Sequence, residues 1–449
     1  MNGLSLTGKI IVKGKLKLIS PLIIGSGKSN LADIEVLKDE SGKPYIPATS
    51  FCGVLRHYFE DNTFSNNIQD QSNYFWGIHK KDQNGKVTEI ESALICHDLF
   101  TENAIIRVRD GIRIDVKKGT AKDEGKYDYE VVEPDAVFDL FWEISIRKAF
   151  DKDKNILKKI IMTLISVLER GEISLGAKTN NGFGKCMLTD AQIYEFDFSK
   201  KNDVKQWLNQ EFVNGISKLD VDLFINQNKT FSIDASFSIK NSFIVRSYPS
   251  EPKFPDGVHL TSNGKNVMPG TSFKGAIRNR ALRIANTLNI INAEQKIKEL
   301  FGTAGENETK RKSKVVVEET IIEDSVAELQ NRIKIDRFTG GTIKTALFDS
   351  MPLWSSNNPE SVKIKIRLRD YEPWEAGLLM LVLKDLWAED LAIGGEKNVG
   401  RGILTGNSAV IKWDNRMLIM ERDVDKLKFS SESDAKELND FVNRLLEVK

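Results

Sequence analysis

Two stretches of this sequence nearly repeat one another: Ile46-Pro47-Ala48-Thr49-Ser50-Phe51-Cys52-Gly53-Val54-Leu55-Arg56 and Met268-Pro269-Gly270-Thr271-Ser272-Phe273-Lys274-Gly275-Ala276-Ile277-Arg278. They lie 268 − 46 = 222 residues apart and share Pro, Thr, Ser, Phe, Gly and Arg at equivalent positions. A short turn containing Gly-Lys precedes each stretch, at residues 42–43 and 264–265. Each stretch predicts a turn that opens a helix, with Thr or Ser available as the N-cap.

A second pair of matching stretches follows the first pair in the same order. Gly176-Ala177-Lys178-Thr179-Asn180-Asn181-Gly182-Phe183-Gly184 matches Gly394-Gly395-Glu396-Lys397-Asn398-Val399-Gly400-Arg401-Gly402, at an offset of 394 − 176 = 218. Two different motifs that recur in order at nearly one offset indicate an internal duplication.

Each copy has the same predicted order of elements. A strand (residues 10–19 and 231–239) leads to the proline-containing turn and its helix, then comes a longer helix, and a short strand enters the Gly-rich loop. Antiparallel strands combined with helices in this order predict an α+β fold made of two tandem ferredoxin-like or RRM-like modules. We place the first module at 1–198, a linker at 199–229, the second module at 230–415 and a C-terminal helical tail at 416–449.

Composition excludes several classes of protein. Lys and Arg exceed Asp and Glu by 65 − 64 = +1, so a surface that is basic all over is excluded, although a local basic groove is not. The three cysteines and four histidines are scattered, which argues against a zinc site or a disulfide framework. The longest apolar run, residues 376–383, is far shorter than the roughly 20 residues that cross a membrane. With no signal peptide visible at residues 1–13, we expect a cytoplasmic protein.

The two helix starts are candidate phosphate sites, because free N–H groups and the helix dipole favour anions there. The candidate RNA contacts are Ser50 and Arg56 in the first copy, and Thr271, Ser272, Lys274, Arg278 and Arg280 in the second. The second copy has more cations, since Cys52 stands where Lys274 stands. The alternative is an ordinary capped helix with a solvated basic face.

The Gly-rich loops would allow a backbone to approach a ligand closely. Their candidate RNA contacts are Lys178, Lys185, Lys397, Asn398 and Arg401. A dinucleotide-binding loop is excluded, because the loop follows a helix and a strand and no helix comes after it. Purely structural turns between two strands remain the alternative.

Basic strands and hairpins provide the remaining candidates. Residues 362–369 alternate cations with apolar residues, which predicts a strand with one basic face, or else a solvated outer face. Residues 107–132 predict a long basic hairpin carrying Arg109, Arg113 and Lys117 with the aromatic Tyr127 and Tyr129, and residues 334–346 a counterpart with Arg337 and Phe338. Such hairpins suit the grasping of single-stranded RNA, and mobile loops are the alternative. The basic run at 310–314 is predicted to be a disordered loop.

The Pro-x-Thr-Ser-Phe-x-Gly turn and the later Gly-rich loop, both met twice, resemble the RAMP superfamily over about residues 8–190 and 230–410. The likeness is closest to the repeating backbone subunit of type III CRISPR effector complexes, and the two copies resemble the fused backbone subunits of type III-D and related variants. By resemblance, residues 108–132 and 335–346 would be thumbs that displace bases from a bound CRISPR RNA. The partners implied are CRISPR RNA, a target single-stranded RNA, other RAMP subunits and the large polymerase/cyclase-like subunit, with no membrane.

The resemblance also implies a catalytic aspartate in the loop before the Pro-x-Thr-Ser turn, needed to cut target RNA. Asp33 stands at that place in the first copy, and Asp256 at a similar distance in the second (47 − 33 = 14 and 269 − 256 = 13). Asp33 would also bind a divalent cation, Mg²⁺ or Mn²⁺. A non-catalytic guide scaffold is the alternative function. A guide-processing ribonuclease that uses His57 is a third, and a turn or Asx cap is the structural alternative for either aspartate.

Overall fold

The computed structural model describes residues 5–27, 32–64, 72–81, 87–115, 119–248, 255–303, 311–356, 360–423 and 426–448. The chain divides into two compact units. Unit 1 comprises residues 1–108, 129–179 and 184–228, and unit 2 comprises residues 109–128, 180–183 and 229–449. The expected first module, 1–198, therefore contributes two short segments, 109–128 and 180–183, to unit 2.

The strands of the first copy are, in chain order, β1 (Leu6–Leu18), β2 (Gly25–Gly27), β3 (Glu35–Val36), β4 (Ile78–Lys81), β5 (Val87–Ile90), β6 (Leu94–Cys96), β7 (Ile106–Ile114), β8 (Ala121–Val132), β9 (Val137–Arg147) and β10 (Cys186–Asp197). Its helices are α1 (Ala48–Asp61), α2 (Asn73–Trp76), α3 (Lys154–Glu169) and α4 (Lys201–Leu208).

The core of unit 1 lies between one four-stranded antiparallel sheet and two helices. The sheet has the order β10-β1-β9-β6. Alternate residues of β1, among them Ile10 and Val12, pack in one buried cluster with Phe51 of α1 and Ile160 of α3. Numbered within the copy, the strand order is 4-1-3-2, which is the ferredoxin-like arrangement.

The strands of the second copy are β11 (Thr230–Ile239), β12 (Ser242–Phe243), β13 (Arg246–Ser247), β14 (Gly257–His259), β15 (Thr261–Ser262), β16 (Lys265–Met268), β17 (Val315–Val317), β18 (Thr320–Ile321), β19 (Ser325–Ala327), β20 (Gln330–Ile335), β21 (Thr342–Met351), β22 (Leu353–Ser355), β23 (Val362–Arg369), β24 (Leu404–Trp413), β25 (Arg416–Asp423) and β26 (Lys426–Phe429). Its helices are α5 (Gly270–Thr287), α6 (Ala293–Phe301), α7 (Pro373–Trp387) and α8 (Glu432–Glu447).

Unit 2 repeats the arrangement of unit 1. Its main sheet has the order β17-β23-β11-β24-β25-β26, and the first four strands match β6-β9-β1-β10 position by position. Phe273 and Ile277 of α5 and Leu379 of α7 pack on this sheet in one buried cluster. The predicted α+β fold with two ferredoxin-like modules is therefore confirmed. No helix in the described part of the chain is long and apolar enough to cross a membrane.

The duplicated Gly-rich loops have a shared structural cause. Gly176 and Gly394 both have positive φ, +75° and +90°, and a Cβ at either would lie 2.1 Å from the Ile23 carbonyl oxygen or 2.4 Å from that of Ile244. A side chain at either position would clash with the chain's own backbone. At these two glycines the close neighbour is therefore the chain's own backbone, and not the ligand that the sequence led us to expect.

Residues 199–229, expected to be a linker, pack onto unit 1. Phe212 lies against Phe141 and Tyr194 with ring centroids 6.1 and 5.4 Å apart, Leu219 is buried, and Ile216 pairs with Ile193 of β10. The apolar residues spaced along this polar segment let it cover the sheet.

Residues 416–423 and 426–429, expected to belong to a helical tail, form β25 and β26 instead, and α8 occupies Glu432–Glu447. Asp414, with φ of +48°, makes the tight turn that returns the chain from β24. Leu418 and Met420 alternate with more exposed neighbours, which suits an added strand.

Candidate nucleic-acid interface

Both duplicated helices begin at a proline and not at Thr or Ser. Pro47 and Pro269 are the N-caps of α1 and α5, and neither proline side chain caps its own helix. In α1, Asp98 Oδ1 accepts the first free N–H, that of Ala48, at 2.7 Å. The predicted Thr or Ser cap is wrong, because extended proline backbone already starts the helix. Ser50 is exposed, and Thr271 and Ser272 are partly exposed.

Not every cation predicted at the helix starts faces outward. The ammonium group of Lys274 is buried and donates to Ser313 Oγ at 2.8 Å and to the carbonyl of Asn180 at 3.2 Å. Burial, with the nearby Arg278 and Arg369, lowers the pKa of Lys274 to about 7. Arg280 pairs with the buried carboxylate of Asp385 at 2.5 Å. Both side chains hold unit 2 together, which corrects their expected role as RNA contacts, whereas Arg278 stays partly exposed.

The first helix also carries a small surface ion cluster. Arg56 Nε donates to Glu60 Oε1 at 2.9 Å, and His57 Nδ1 lies 3.0 Å from Glu60 Oε2. All three side chains are solvent-accessible, so the cluster adds little stability and leaves Arg56 within reach of a phosphate.

Arg109 was predicted to contact RNA, but it is the buried half of an ion pair inside unit 2. Its side chain is 2% exposed and Glu319, its partner at 2.6 Å, is 6% exposed. A guanidinium so enclosed is committed to its carboxylate, because separating buried charges is strongly unfavourable. Arg109 therefore orders unit 2 and presents no surface to a nucleic acid.

The two predicted hairpins are confirmed as β7–β8 and β20–β21. Arg113 is exposed and lies 5.8 Å from the ring centroid of Tyr127, and Arg337 is exposed beside Phe338, whose surface is 100% accessible. Cations next to accessible aromatic rings suit the binding of single-stranded RNA. Lys117 lies outside the described residues.

The basic strand is β23, and its predicted alternation is confirmed. Val362, Ile364, Ile366 and Leu368 are buried, while Lys363, Lys365 and Arg369 are exposed and Arg367 is half-buried. Arg367 pairs with Glu318, and Lys363 lies 3.7 Å from Glu323. Acidic neighbours thus neutralise half of the stripe, as a solvated outer face would require.

In unit 1, the loop of Asp33 and the Gly-rich loop meet at Tyr129. Ile34, the residue after Asp33, bridges to Tyr129 in parallel, and Glu130 N–H donates to the Ile34 carbonyl at 2.9 Å. On the other side, the ammonium group of Lys178 lies 3.4 Å from the centroid of the Tyr129 ring. Asp33 is partly exposed and directly precedes the residue that bridges to Tyr129, so Asp33 and Lys178 are each placed next to Tyr129.

Lys178 is set in place by its backbone and by burial. Its φ is +57°, at the tight turn after Gly176, and the N–H of Ala177 donates to Ile23 at 2.8 Å. Burial lowers the pKa of Lys178 to about 8. Lys178 is therefore a cation near neutral pH that gives up its proton far more readily than an ordinary lysine. Lys185 follows the same loop, anchored by its N–H to Ser20 Oγ at 2.9 Å.

In unit 2, Asp256 occupies the topological position of Asp33. Gly257, the residue after Asp256, pairs in parallel with Ser350 of β21, as Ile34 pairs with Tyr129 of β8. The N–H of Asp256 donates to Asp349 Oδ1 at 2.7 Å. The two aspartates thus begin equivalent strand pairings, which the sequence offsets alone could not fix.

The Gly-rich loop of unit 2 differs in charge from that of unit 1. Glu396, with φ of +55°, stands where Lys178 stands, and it is 9% exposed. Three guanidinium groups surround it: Arg246 Nη2 at 2.5 Å, Arg332 Nη2 at 2.6 Å and Arg401 Nη1 at 3.0 Å. Arg401 is itself 3% exposed, so it too is a buried structural partner and not the surface RNA contact expected. Lys397 and Asn398 are exposed at the tip of the loop.

Replacing Glu396 with Gln is expected to destabilise unit 2 by roughly 2–4 kcal/mol, because three clustered cations lose their carboxylate. Burial raises the pKa of Glu396, but the hydrogen bond from Arg246 and the charges of Arg401, Arg246 and Arg332 together lower it below 4.5. This stabilisation is present above pH 4.5 and disappears as the pH falls through the lowered value. Urea unfolding at pH 7 measures the effect. The exposed Glu421→Gln is the control, and equal midpoints for the two variants would contradict the account.

The residues present can hold a divalent cation only together with a substrate. Among the described residues, no group of three or more His, Cys, Asp and Glu side chains is placed to bind a metal. Mg²⁺ is often held by one or two carboxylates plus substrate phosphates and water. A single partly exposed carboxylate, Asp33, fits that donor set once RNA supplies the phosphate oxygens.

Sequence reasoning missed the Arg246, Arg332 and Ser350 contacts and gave Tyr129 the wrong role. Tyr129 is 3% exposed, so it cannot stack on a base as a hairpin aromatic would. The charge change from Lys178 to Glu396 was visible in the aligned loops and was the signal that the two sites differ. Which arginines pair with Glu396 depends on strand register, and the sequence carries no signal for that register.

The structure is a two-module α+β protein in which each copy carries a loop aspartate and a hairpin with an exposed arginine. The family model described as "RAMPs: RAMP superfamily" matches residues 15–186 and 237–405. These two regions cover most of the chain, which therefore belongs to the RAMP superfamily of CRISPR-associated RNA-binding subunits. No curated protein sequence matches the chain.

Proposed function

We propose that the chain is the guide-RNA-binding backbone subunit of a type III CRISPR effector complex and that its first module cuts complementary target RNA. The observation that carries the proposal is that the loop of Asp33 and the side chain of Lys178 both meet Tyr129 in unit 1. A pure scaffold needs neither a carboxylate nor a buried lysine of lowered pKa at that place. Residues with strongly perturbed pKa values are concentrated at functional sites.

The proposed reaction uses the target RNA's own 2′-OH. The Asp33 carboxylate takes the 2′-OH proton, the oxygen bonds to the adjacent phosphorus, and the bond from phosphorus to the 5′ oxygen breaks. Lys178 gives its proton to the leaving 5′ oxygen and regains one from Asp33 through solvent, which leaves a 2′,3′-cyclic phosphate and a 5′-OH end. A bound Mg²⁺ or Mn²⁺ on Asp33 would supply positive charge to the phosphate oxygens. Alignment of the nucleophile by the bound strand contributes much of the rate.

The second module is proposed to hold RNA and to cut poorly. Asp256 is its candidate base, but Glu396 replaces the lysine that would protonate the leaving oxygen. Arg246, Arg332 and Arg401 already form ion pairs with that carboxylate. The scaffold reading therefore applies best to this copy.

The test is incubation of the assembled complex with end-labelled target RNA, with and without EDTA. The proposal predicts metal-dependent cuts at positions fixed by the guide, with cyclic phosphate ends and loss of cutting when the nucleotide at the cut is 2′-deoxy. Intact target RNA after prolonged incubation with Mg²⁺ or Mn²⁺ would support the scaffold function instead.

The rate of the first cut should fall as the pH rises above about 8. Burial lowers the pKa of Lys178 to about 8, so its proton is present below that value and lost above it. The measurement is single-turnover cleavage from pH 6 to 9.5, corrected for base hydrolysis of free RNA. Lys178→Met should reduce the rate by about 10²-fold and remove the alkaline fall. If Lys178→Met keeps the alkaline fall, the proton donor is another group.

A further inference from the structure

Cys52 is the one position of the duplicated turn where a thiol replaces a cation of the other copy, and the proposed function leaves it unused. It lies in the second turn of α1, in unit 1. Its counterpart Lys274 reaches a serine hydroxyl in unit 2. The Cys52 thiol is hydrogen-bonded to that of another cysteine, Cys96, the last residue of β6.

The backbone register brings the two cysteines together. Ile46 and Leu99 exchange both backbone hydrogen bonds, at 3.0 and 2.9 Å, and Ala48 N–H donates to Asp98 at 2.7 Å. From that junction Cys52 lies one helical turn along α1, a rise of about 6 Å. Cys96 lies two residues back along the strand, roughly 6.6 Å. The helix α1 and the strand β6 also contact each other directly, and the side chains of Cys52 and Cys96 are hydrogen-bonded to one another.

Both cysteines pack on the core of unit 1 without being enclosed by it. Cys52 and Cys96 are each partly exposed and lie against the same buried cluster. Cys96 pairs with Trp142 of β9, and the Trp142 ring lies 6.1 Å from that of Phe51, the neighbour of Cys52. The third cysteine, Cys186, is fully buried on β10.

The two thiols have different acidities. A hydrogen bond from Cys96 lowers the pKa of Cys52 in spite of burial. The same interaction, together with burial, raises the pKa of Cys96. A thiolate is the reactive form of cysteine, so Cys52 is the thiol that reacts first and Cys96 the one that follows.

We propose that Cys52 and Cys96 form an oxidisable dithiol, closed to a disulfide by low-molecular-weight disulfides such as oxidised glutathione. The Cys52 thiolate attacks one sulfur of the oxidant, whose S–S bond breaks and releases one small thiol. Cys96 then loses its proton and attacks the Cys52 sulfur, which releases the second small thiol. Two protein thiols are oxidised by two electrons, and the oxidant is reduced to two thiols.

The disulfide would fix the start of α1 to the end of β6. It closes a loop of 96 − 52 = 44 residues, so it restricts the unfolded chain. The oxidised protein should therefore unfold at a temperature higher by roughly 5–10 °C. Because α1 opens at the duplicated turn, oxidation would act on the helix that carries Ser50 and Arg56.

The test treats the full-length folded chain with oxidised glutathione and analyses it by intact mass and peptide mapping. We expect loss of the mass of two hydrogens, a cross-link between the peptides of Cys52 and Cys96, one remaining reactive thiol after denaturation, and reversal by dithiothreitol. Cys186→Ser is the matched control and should still form the cross-link.

Two results would overturn the proposal. One is a stable glutathione adduct on Cys52 with Cys96 still free, since adjacent thiols would resolve it. The other is a chain that stays fully reduced under conditions in which the same oxidant completely oxidises a reference dithiol peptide. In Cys96→Ser the glutathione adduct should persist on Cys52. This variant therefore shows whether Cys52 reacts with the oxidant at all when no second thiol can displace the glutathione.

Discussion

Asp33→Asn should abolish one cut in the target RNA and leave guide assembly and target binding unchanged. The expected loss in single-turnover rate is about 10²–10⁴-fold, the contribution of a positioned general base. An amide keeps the shape of the side chain but cannot take the 2′-OH proton. Loss of one negative charge beside RNA should, if anything, tighten binding slightly, so the effect belongs to the transition state.

Two matched variants accompany this measurement. Asp39→Asn changes a carboxylate in a nearby exposed turn, where it accepts hydrogen bonds from Ser41 and Lys43, and should cut at the wild-type rate. Asp256→Asn should affect only a different and weaker cut. Wild-type cutting by Asp33→Asn at unchanged positions would remove the catalytic assignment and leave the guide scaffold as the function.

Arg109→Met should be the most destabilising single change among the predicted RNA contacts. It leaves the carboxylate of Glu319, 6% exposed, buried without its cation, at a cost of about 3–5 kcal/mol. For a unit of this size, thermal unfolding should shift down by roughly 10 °C. Differential scanning calorimetry of the full chain measures the shift.

Arg113→Met is the matched control, because Arg113 is an exposed arginine on the same hairpin and its loss should change stability by less than about 0.5 kcal/mol. Arg109→Met combined with Glu319→Leu should recover much of the loss, since no buried charge remains. Equal midpoints for Arg109→Met and Arg113→Met would show that the ion pair does not order unit 2. The affinity for RNA should show the opposite order and fall more for Arg113→Met than for Arg109→Met.

The fold was predictable because the duplication constrains it twice. Pro47 and Pro269 each open a helix, and Gly176 and Gly394 each turn where a side chain would meet backbone. The packing of residues 199–229 was less predictable. Isolated apolar residues such as Leu219 among many polar ones do not indicate which surface they cover. Likewise, the pattern of residues 416–429 suits an exposed helix as well as an edge strand until β24 is in place beside it.

The candidate site was only partly predictable, because a basic residue in a sequence does not reveal its partner. Arg109 and Glu319 are 210 residues apart, and Arg280 and Asp385 are 105 apart. Their pairing follows from packing that no local pattern encodes. Arg113 and Arg337 remain candidate RNA contacts because hairpin tips have few neighbours with which to pair. Asp33 and Asp256 were placed by resemblance, and their equivalent strand pairings support them.

The RNA that purifies with this chain shows whether the chain holds guide RNA. The chain is expressed with a CRISPR array and the other subunits of its complex, isolated under high salt, and its bound RNA is sequenced. We expect RNAs of defined length derived from the array, and we expect these RNAs to be lost when Arg113 and Arg337 are both replaced with alanine. Bound RNA that mirrors the cell's total RNA, or no RNA at all, would contradict it.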